Sequence, residues 1–370
     1  MSAGFGRSYY QPLRSGNQRH QARGVTESAG QPLCGFISRI GHAESMSSSR
    51  LWIVTGASGF LGLEIVRQLV DARERVRVVT RREVLPSELR ELGVESARAD
   101  LNSVTDLTAA FVSAPGTQTI VVHCAGAISI ATKRDPRTWE TNVGGTERVI
   151  AACRRTRVMR LVYVSSVHAL PVPHDVSRPV TEITDFSDVE VDGDYAESKA
   201  AATARVLAAT DLQPVVVHPS GLLGPAATGF LGTLVARIAA GKMPLVVRGG
   251  HDLVDVRDVA AGTIAAAQRG SSGEGYLLTG EYVAIPELAR MVADRAGVRR
   301  PLVLPLWVAA AAAPLAEWWA IRRDSTALFT PYSLRTLATN ARYSTAKARA
   351  ELSYSPRPLK QTIHDMVTGQ

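Results

Sequence analysis

The chain is poor in cysteine and, beyond its first residues, nearly balanced in charge. Its three cysteines, Cys34, Cys124 and Cys153, have neither the spacing of metal ligands nor the density of a disulfide framework. This favours a reducing, cytoplasmic environment and predicts no metal site. Residues 1–50 hold six arginines and two glutamates, so they carry half of the net charge of +8. The positive excess of the remaining residues is too small to indicate a nucleic-acid partner.

The first 49 residues also lack the apolar run of a secretory signal. They are rich in serine, glycine, glutamine and arginine, a composition that offers little apolar surface to bury. We expect residues 1–49 to be a disordered N-terminal extension.

One apolar stretch, residues 302–321, is about as long as a membrane span. Two prolines and a glutamate interrupt it, and its alanines contribute little to insertion, so a spanning helix is not predicted. The simplest interpretation is a helix packed on a smaller lobe. Because the stretch contains three tryptophans, peripheral contact with a membrane surface is the alternative.

From residue 51 onward, short apolar runs alternate with segments of helical length. The runs are LWIVT, RVRVVT, TIVVHCAG, RLVYVSS and PVVVHPS, each rich in β-branched residues and bounded by turn residues. Helices are expected near 61–72, 103–112, 138–154, 195–209, 257–269 and 286–296. Buried strands separated by helices predict an α/β fold of the Rossmann type, with a doubly wound parallel sheet.

The regular alternation ends near residue 220, where segments punctuated by glycine and proline begin. We therefore assign residues 50–220 to a dinucleotide-binding domain. Residues 221–370 are expected to form mainly a smaller C-terminal substrate-binding lobe that is interleaved with that domain.

A glycine-rich loop, IVTGASGFLG, follows the first strand and opens the first helix. Its glycines, Gly56, Gly59 and Gly62, have the spacing G-x-x-G-x-x-G. Glycines let the backbone approach a pyrophosphate, and a helix N-terminus offers free N–H groups and positive potential. The loop predicts dinucleotide binding, with cofactor contacts at these residues: Gly56, Ser58, Gly59, Phe60 and Leu61.

The end of the second strand indicates which dinucleotide is bound. Sites selective for NAD usually place an acid there to bind the ribose 2′-hydroxyl. This chain has Thr80, Arg81 and Arg82 instead, and the first acid, Glu83, comes late. Two guanidinium groups match a 2′-phosphate better than a free diol, so NADP(H) is favoured, with Arg81 the better placed contact, and NAD(H) is the alternative.

Tyr195 and Lys199 lie four residues apart in a predicted helix and so share one face of it. Beside a nicotinamide, Lys199 can hold the ribose hydroxyls and stabilise tyrosinate, which brings the phenol of Tyr195 within range of general acid–base work. A hydroxyl that binds the reacting carbonyl is also needed. Ser165 and Ser166, at the C-terminal end of a predicted strand, can supply it.

The combination of these motifs resembles the extended short-chain dehydrogenase/reductase superfamily, from about residue 51 to the C-terminus. The resemblance implies that the second serine, Ser166, is catalytic together with Tyr195 and Lys199. It also places further residues of the motifs ADL, HCAG and HPSGLLGP at the cofactor: Asp100, Leu101, Cys124, Ala125, Gly126, Pro219 and Ser220. Asn142 of TNVGGT is a further match. His218 stands where many relatives have arginine and is interpreted as structural.

Within the superfamily, VDVRDVA and the ending ARAELSYSPRPLKQTI are most similar to the 3β-hydroxysteroid dehydrogenase and dihydroflavonol 4-reductase branches. The resemblance implies hydride transfer between NADP(H) and a carbonyl or secondary alcohol of a hydrophobic small molecule, such as a sterol, terpenoid or flavonoid-like ring. The alternatives are a nucleotide-sugar epimerase with retained NAD and a non-catalytic dinucleotide-sensing module. A homodimer is compatible with this assignment.

The residues after the serines, SSVHALPVP, lack the V-Y-G element that is usual in epimerases. They also lack the Asp-Glu pair of hexose dehydratases, since Val167 and His168 stand there. His168 either contacts the substrate or lies in a surface loop, and the loop is the simpler interpretation.

Overall fold

A parallel sheet with helices on both faces forms the centre of the protein. The computed structural model describes residues 50–128, 135–173, 175, 178–305, 307–308, 311 and 341–369. The strands are β1 (Arg50–Thr55), β2 (Arg75–Thr80), β3 (Glu95–Arg98), β4 (Gln118–His123), β5 (Arg160–Val164), β6 (Val215–Pro219), β7 (Gly221–Leu223), β8 (Leu245–Val247), β9 (Gly250–Asp255), β10 (Glu274–Leu278), β11 (Glu281–Ala284) and β12 (Leu302–Leu304).

The helices connect these strands and cover them. They are α1 (Phe60–Asp71), α2 (Ser87–Glu91), α3 (Val104–Phe111), α4 (Pro136–Trp139), α5 (Gly145–Arg155), α6 (Asp194–Leu207), α7 (Gly229–Ala239), α8 (Val256–Arg269), α9 (Ile285–Ala296), α10 (Ala346–Leu352) and α11 (Leu359–Thr368). A π-helical turn, Glu140–Gly144, joins α4 to α5. Short 3-10 turns occur at Val167–Ala169 and Thr210–Leu212.

Seven strands pair in the order β10-β6-β5-β4-β1-β2-β3, and every pair is parallel. The predicted Rossmann-type fold is therefore confirmed. The chain leaves β1 towards β2 and β3 on one side and returns as β4 on the other side. Such a reversal opens a crevice at the carboxyl ends of the strands, where open α/β sheets bind ligands.

The two faces of the sheet carry separate apolar layers because successive strand side chains point in opposite directions. Trp52 and Val54 of β1 pack in the layer that includes α1 and α8. Leu51 and Ile53 pack in the layer that includes α3, α5 and α6. All four side chains are buried. Burial on both faces explains why the strand reads as an unbroken apolar run.

The C-terminal part of the chain contributes β10 to the large sheet and builds two small sheets of its own. One has the order β11-β9-β7, and the other pairs β12 with β8. A further apolar cluster, with members from α7, α9 and α11, packs against them.

The motif VDVRDVA has a structural explanation, because its carboxylates tie α8 to the end of the chain. Asp255 caps the N-terminus of α8, accepting a hydrogen bond from Arg257 N, and also accepts one from Thr362 Oγ1 in α11, both at 2.8 Å. Asp258 pairs with Arg357 at 2.8 Å between Oδ1 and the guanidinium. These contacts join segments about a hundred residues apart in the chain.

The stretch 302–321 lies largely outside the described residues. Its first three residues form β12 rather than the expected helix, and Trp307 is 74% exposed. Among the described helices, none is long and apolar enough to cross a membrane.

Candidate active site at the carboxyl edge of the sheet

The glycine-rich loop turns tightly from β1 into α1. Gly56 has φ +71°, and a Cβ placed on it would lie 2.6 Å from Ala125 N, so only glycine fits. A Cβ on Gly62 would lie 2.3 Å from Gly56 O. Ser58 and Gly59 are exposed at the start of α1, whose N-cap residue Gly59 provides no side-chain cap. The first N–H groups of α1 therefore remain available for an anionic ligand.

The side chains that follow the loop have different environments. Phe60 is half-buried, whereas Leu61 is buried in the core. Leu61 can therefore approach a ligand only through its backbone N–H.

The ends of β2 and β3 lie beside the end of β1 in the sheet. Arg81 and Arg82 are exposed, and neither guanidinium has a hydrogen bond or ion pair within the described part of the chain. Asp100 is half-buried, and its Oδ1 accepts a hydrogen bond from Asn102 N at 3.0 Å. Leu101, also half-buried, packs towards the start of α5. The predicted adenosine-side residues thus follow adjacent strands at one edge.

The loop after β4 is held by the side chain of Asn142. Its Oδ1 accepts a hydrogen bond from Ala127 N at 2.7 Å, and its Nδ2 donates to Ala127 O at 2.9 Å. A Cβ on Gly126 would lie 3.1 Å from Asn142 Oδ1 and 3.3 Å from Lys199 Nζ. The segment Cys124, Ala125 and Gly126 therefore passes directly over the predicted catalytic lysine.

The buried side chain of His123, the last residue of β4, connects β1 to α5 next to this loop. His123 Nδ1 lies 2.7 Å from Thr55 Oγ1, and its Nε2 lies 3.1 Å from Thr146 Oγ1. Because Thr146 donates its own hydrogen to Asn142 O, His123 must donate from Nε2. Burial and the charge of Lys199 lower the pKa of His123 to about 3, so the imidazole is neutral and purely structural.

Lys199 is buried within the site rather than extended into solvent. Its side chain runs from α6 to the end of β5, where Nζ donates to Val164 O at 2.8 Å and to Tyr163 Oη at 3.3 Å. Nζ also lies 4.8 Å from the centre of the Tyr163 ring. Burial lowers the pKa of Lys199 to about 8, and the neighbouring Cys124 opposes this shift. The ammonium is therefore still mostly charged at neutral pH and loses its charge as pH rises through about 8.

The two serines after β5 have different environments. Ser165 Oγ lies 2.8 Å from Thr203 Oγ1, which donates its own hydrogen to Lys199 O, so the Ser165 hydroxyl is committed to α6. Ser166 Oγ accepts a hydrogen bond from His168 N at 3.2 Å and keeps its hydrogen to donate. The structure therefore leaves Ser166, the serine implied by the resemblance, available for a substrate oxygen.

Tyr195 is half-buried near the N-terminus of α6, one turn before Lys199. Its carbonyl accepts a hydrogen bond from Ser198 Oγ, to which Asn142 Nδ2 also donates, at 2.8 and 2.9 Å. Its ring lies edge-on to that of His168, with centroids 6.1 Å apart. The same network that holds the β4 loop thus fixes the start of α6.

Pro219 and Ser220 continue the edge beyond β6. Pro219 is the last residue of β6, and both residues are buried. His218, directly before them, donates from Nδ1 to Ser166 O at 3.2 Å and stacks on Phe186. The expectation that His218 is structural agrees with these contacts, since it orients the backbone of Ser166.

Two parts of this arrangement were not singled out from the sequence. Tyr163 contacts Lys199, and its only sequence signal was its position inside a strand run. His251, on β9, lies 5.9 Å from His168 between ring centroids. His168 itself is half-buried against Tyr195 and not simply a surface-loop residue.

Comparison with known proteins identifies the family. Residues 52–278 match the model of the NAD dependent epimerase/dehydratase family. The chain belongs to this family. As the sequence predicted, it is an NAD(P)-dependent oxidoreductase of the extended short-chain dehydrogenase/reductase type.

Individual relatives cover most of the chain. Sterol demethylase protein B of Methylococcus capsulatus is 30% identical over 325 residues, 85% of this chain and 96% of that protein. The decarboxylating sterol-4-alpha-carboxylate 3-dehydrogenase ERG26 of Saccharomyces cerevisiae is 28% identical over 332 residues, covering 82% of this chain and 93% of its own length. The crystal structure of gox2253 is similar with a TM-score of 0.71 and 31% identity, covering 86% of this chain and 97% of that one.

The site fits the dinucleotide that this family uses. The left-handed Gly56 gives close backbone access beside the uncapped start of α1, which suits a pyrophosphate. Because Gly126 has no side chain, the space above Lys199 stays open; a Cβ there would lie 3.3 Å from Lys199 Nζ. The residues that would hold the cofactor are therefore those of the glycine-rich loop, the ends of β2 and β3, and the β4 loop.

Proposed function

We propose that the protein transfers hydride between NADP(H) and a carbonyl or secondary alcohol of a hydrophobic small molecule, through Ser166, Tyr195 and Lys199. The observation that carries this proposal is the buried Lys199, anchored on Val164 O directly before the two serines and one helical turn from Tyr195. The sterol-related names of two relatives support a hydrophobic substrate. Residues 221–370 are proposed to supply most of the substrate-binding side.

The nicotinamide, when bound, supplies or accepts the hydride. In the direction of reduction, Tyr195 donates its phenolic proton to the carbonyl oxygen as negative charge develops there. Ser166 donates a second hydrogen bond to the same oxygen. The charge of Lys199 stabilises the resulting tyrosinate, which regains a proton from solvent. In the direction of oxidation, the same groups act in reverse, with tyrosinate as the base.

Replacing Tyr195 tests this assignment. Tyr195→Phe should reduce kcat by at least about a hundredfold because only the proton donor is lost, while cofactor affinity stays nearly unchanged. The assay follows NADPH absorbance with bulky cyclic ketones, and cofactor binding is measured by titration. Tyr343→Phe, at a half-buried tyrosine of the C-terminal part, is the control for loss of a phenol elsewhere. Near-normal turnover by Tyr195→Phe would refute the proposal, and absence of net NADPH consumption with wild type would favour an epimerase.

The preference for NADP(H) is proposed from Arg81 and Arg82. Both are exposed at the end of β2, where a 2′-phosphate would meet them, and neither guanidinium has a hydrogen bond or ion pair within the described part of the chain. A charge-assisted bond contributes about 1.5–3 kcal/mol, so Arg81→Ala should weaken NADPH binding at least about tenfold and leave NADH little changed. Thr80→Asp should reverse the preference by repelling the phosphate.

The measurement is the Kd of each cofactor at fixed ionic strength, since salt screens such contacts. Arg90→Ala, at an exposed position of α2, is the matched control. If wild type binds NADH more tightly than NADPH, the preference is wrong.

A further inference from the structure

His168 lies beside the proposed catalytic Tyr195, and His251 lies beside His168. His168 lies in the turn directly after Ser166, and its ring meets that of Tyr195 edge-on, at 6.1 Å and 68°. His251, on β9 of the small sheet, lies 5.9 Å from His168 with the rings tilted by 32°. The pair therefore extends from the catalytic turn to the C-terminal part of the chain.

Neither imidazole has a hydrogen-bond partner for its ring nitrogens within the described ranges. The other histidines in the interior differ, because His123 uses both ring nitrogens and His218 uses Nδ1. His168 and His251 are only half-buried, so a ligand can reach them. A ligand that enters the site can therefore form hydrogen bonds with these ring nitrogens.

His251 packs against the residue that follows the predicted cofactor contacts Pro219 and Ser220. Gly221 follows Ser220, and a Cβ on it would lie 3.0 Å from His251 Cδ2. The imidazole therefore packs directly against the backbone of Gly221. This places it next to the segment where cofactor and substrate are expected to meet.

The charge state of the pair limits what it can bind. Burial lowers the pKa of His168 to about 4 and that of His251 to about 3, and the nearby His168 adds to the latter shift. Both rings are thus neutral at neutral pH, and each offers one N–H donor and one acceptor nitrogen. An anionic ligand would favour the protonated imidazolium, which the buried surroundings oppose. A neutral hydroxyl or carbonyl group can bind to the neutral imidazoles without a change in their protonation.

We propose that His168 and His251 form a hydrogen-bonding subsite for a neutral oxygen function of the substrate, a hydroxyl or carbonyl group close to the reacting carbon. This inference rests on the proposed function and deepens it. The substrate is then a largely apolar molecule with a second oxygen near its reacting carbonyl, and not a simple hydrocarbon ketone.

The test uses three cyclohexanones with a propyl, hydroxyethyl or carboxymethyl group on the carbon next to the carbonyl. Wild type should reduce the hydroxyethyl ketone with a higher kcat/KM than the propyl ketone. A neutral hydrogen bond is worth a few-fold to about tenfold, so His168→Phe and His251→Phe should each remove about that much of the preference. His168→Asn keeps an N–H donor and should restore part of it. His364→Phe, at an exposed position, is the control.

A second readout is independent of turnover. In protein loaded with NADP⁺, which cannot reduce a ketone, the hydroxyethyl ketone should shift the side-chain NMR signals of His168 and His251 but not of His364. The subsite is refuted if both Phe variants keep the wild-type preference for the hydroxyethyl ketone over the propyl ketone. It is also refuted if the NMR signals of His168 and His251 do not shift. A preference for the carboxymethyl ketone that grows as pH falls would instead show an anion site. Failure of Tyr195→Phe to lower turnover would refute the proposed function itself.

Discussion

The burial of Lys199 leads to a prediction about stability and pH. The residue is 5% exposed, and burial lowers the pKa of its ammonium from 10.5 to about 8. At about 1.4 kcal/mol per pKa unit, this shift corresponds to a penalty of about 3 kcal/mol for keeping the charged form in the folded, cofactor-free protein. Two hydrogen bonds, to Val164 O and Tyr163 Oη, hold the ammonium in this position.

The sign follows from proton binding. Below the folded pKa of about 8, Lys199 is protonated in both states, and its charge opposes folding. As pH rises from about 8 to 10.5, the unfolded chain binds more protons than the folded one, so this residue's contribution to the free energy of unfolding increases with pH. Lys199→Met removes the titrating group. The difference in free energy of unfolding, wild type minus Lys199→Met, should therefore rise by about 2–3 kcal/mol between about pH 7 and about pH 10.

Urea denaturation of both proteins without cofactor, followed by circular dichroism at several pH values, measures this difference. Other groups that titrate in the same range cancel in the comparison. Lys242→Met, at an exposed position, is the control and should give a flat difference. If the Lys199 difference also stays flat to within about 0.5 kcal/mol, the ammonium is not held in a low-dielectric site, and the reasoning that links its burial to its reactivity fails.

Two further predictions concern backbone shape and the choice between the serines. Gly56→Ala should lower the free energy of unfolding by at least about 2 kcal/mol, because alanine is strained at φ +71° and its Cβ would meet Ala125 N at 2.6 Å. Thermal unfolding measures this loss, and a change below about 0.5 kcal/mol would contradict the prediction. Ser166→Ala should reduce kcat by about a hundredfold or more with intact folding, whereas Ser165→Ala should affect mainly stability, since its hydroxyl bonds Thr203. Steady-state kinetics of the two variants decide, and a larger loss of kcat in Ser165→Ala would reverse the assignment.

Five of the seven strands of the large sheet could be predicted from their apolar runs, since those runs form β1, β2, β4, β5 and β6. Two strands of that sheet, β3 and β10, were not predicted. The β10 strand is buried but follows the end of the regular alternation, whereas ESAR of β3 lies at the edge of the sheet, pairs only with β2 and leaves most of its side chains exposed. A strand of this kind has no apolar pattern to detect.

The helix expected over 138–154 is present, but periodicity did not predict its internal geometry. The chain is helical from Pro136 to Arg155 as α4, a π-helical turn and α5 in succession. The extra residue of a π-helical turn rotates the side chains that precede it relative to those that follow. Asn142 lies in this turn and reaches both Ala127 and Ser198. Spacing alone could not predict that contact, because an uninterrupted helix would have turned Asn142 in a different direction.

The choice between Ser165 and Ser166 also depended on information beyond spacing. Both follow β5, and residues alone left either one as the catalytic hydroxyl. The contact that favours Ser166 is the hydrogen bond between Ser165 and Thr203, which lies in α6 and is 38 residues away in the chain. The pairing of His168 with His251 is similarly a consequence of tertiary structure, since their elements are brought together only by the return of the chain from β7 to β9.

Several residues that break local rules lie at the carboxyl edge of the sheet. The apolar run of β1 and the helix cap at Asp255, by contrast, agree with the fold. At the carboxyl edge the chain keeps a left-handed Gly56, a π-helical turn at Asn142, a buried ammonium at Lys199 and two imidazoles whose ring nitrogens have no hydrogen-bond partner among the described residues. Each of these features opposes stability, and each lies where a cofactor or substrate would compensate it. Ligand binding should therefore stabilise this edge more than any other part of the protein.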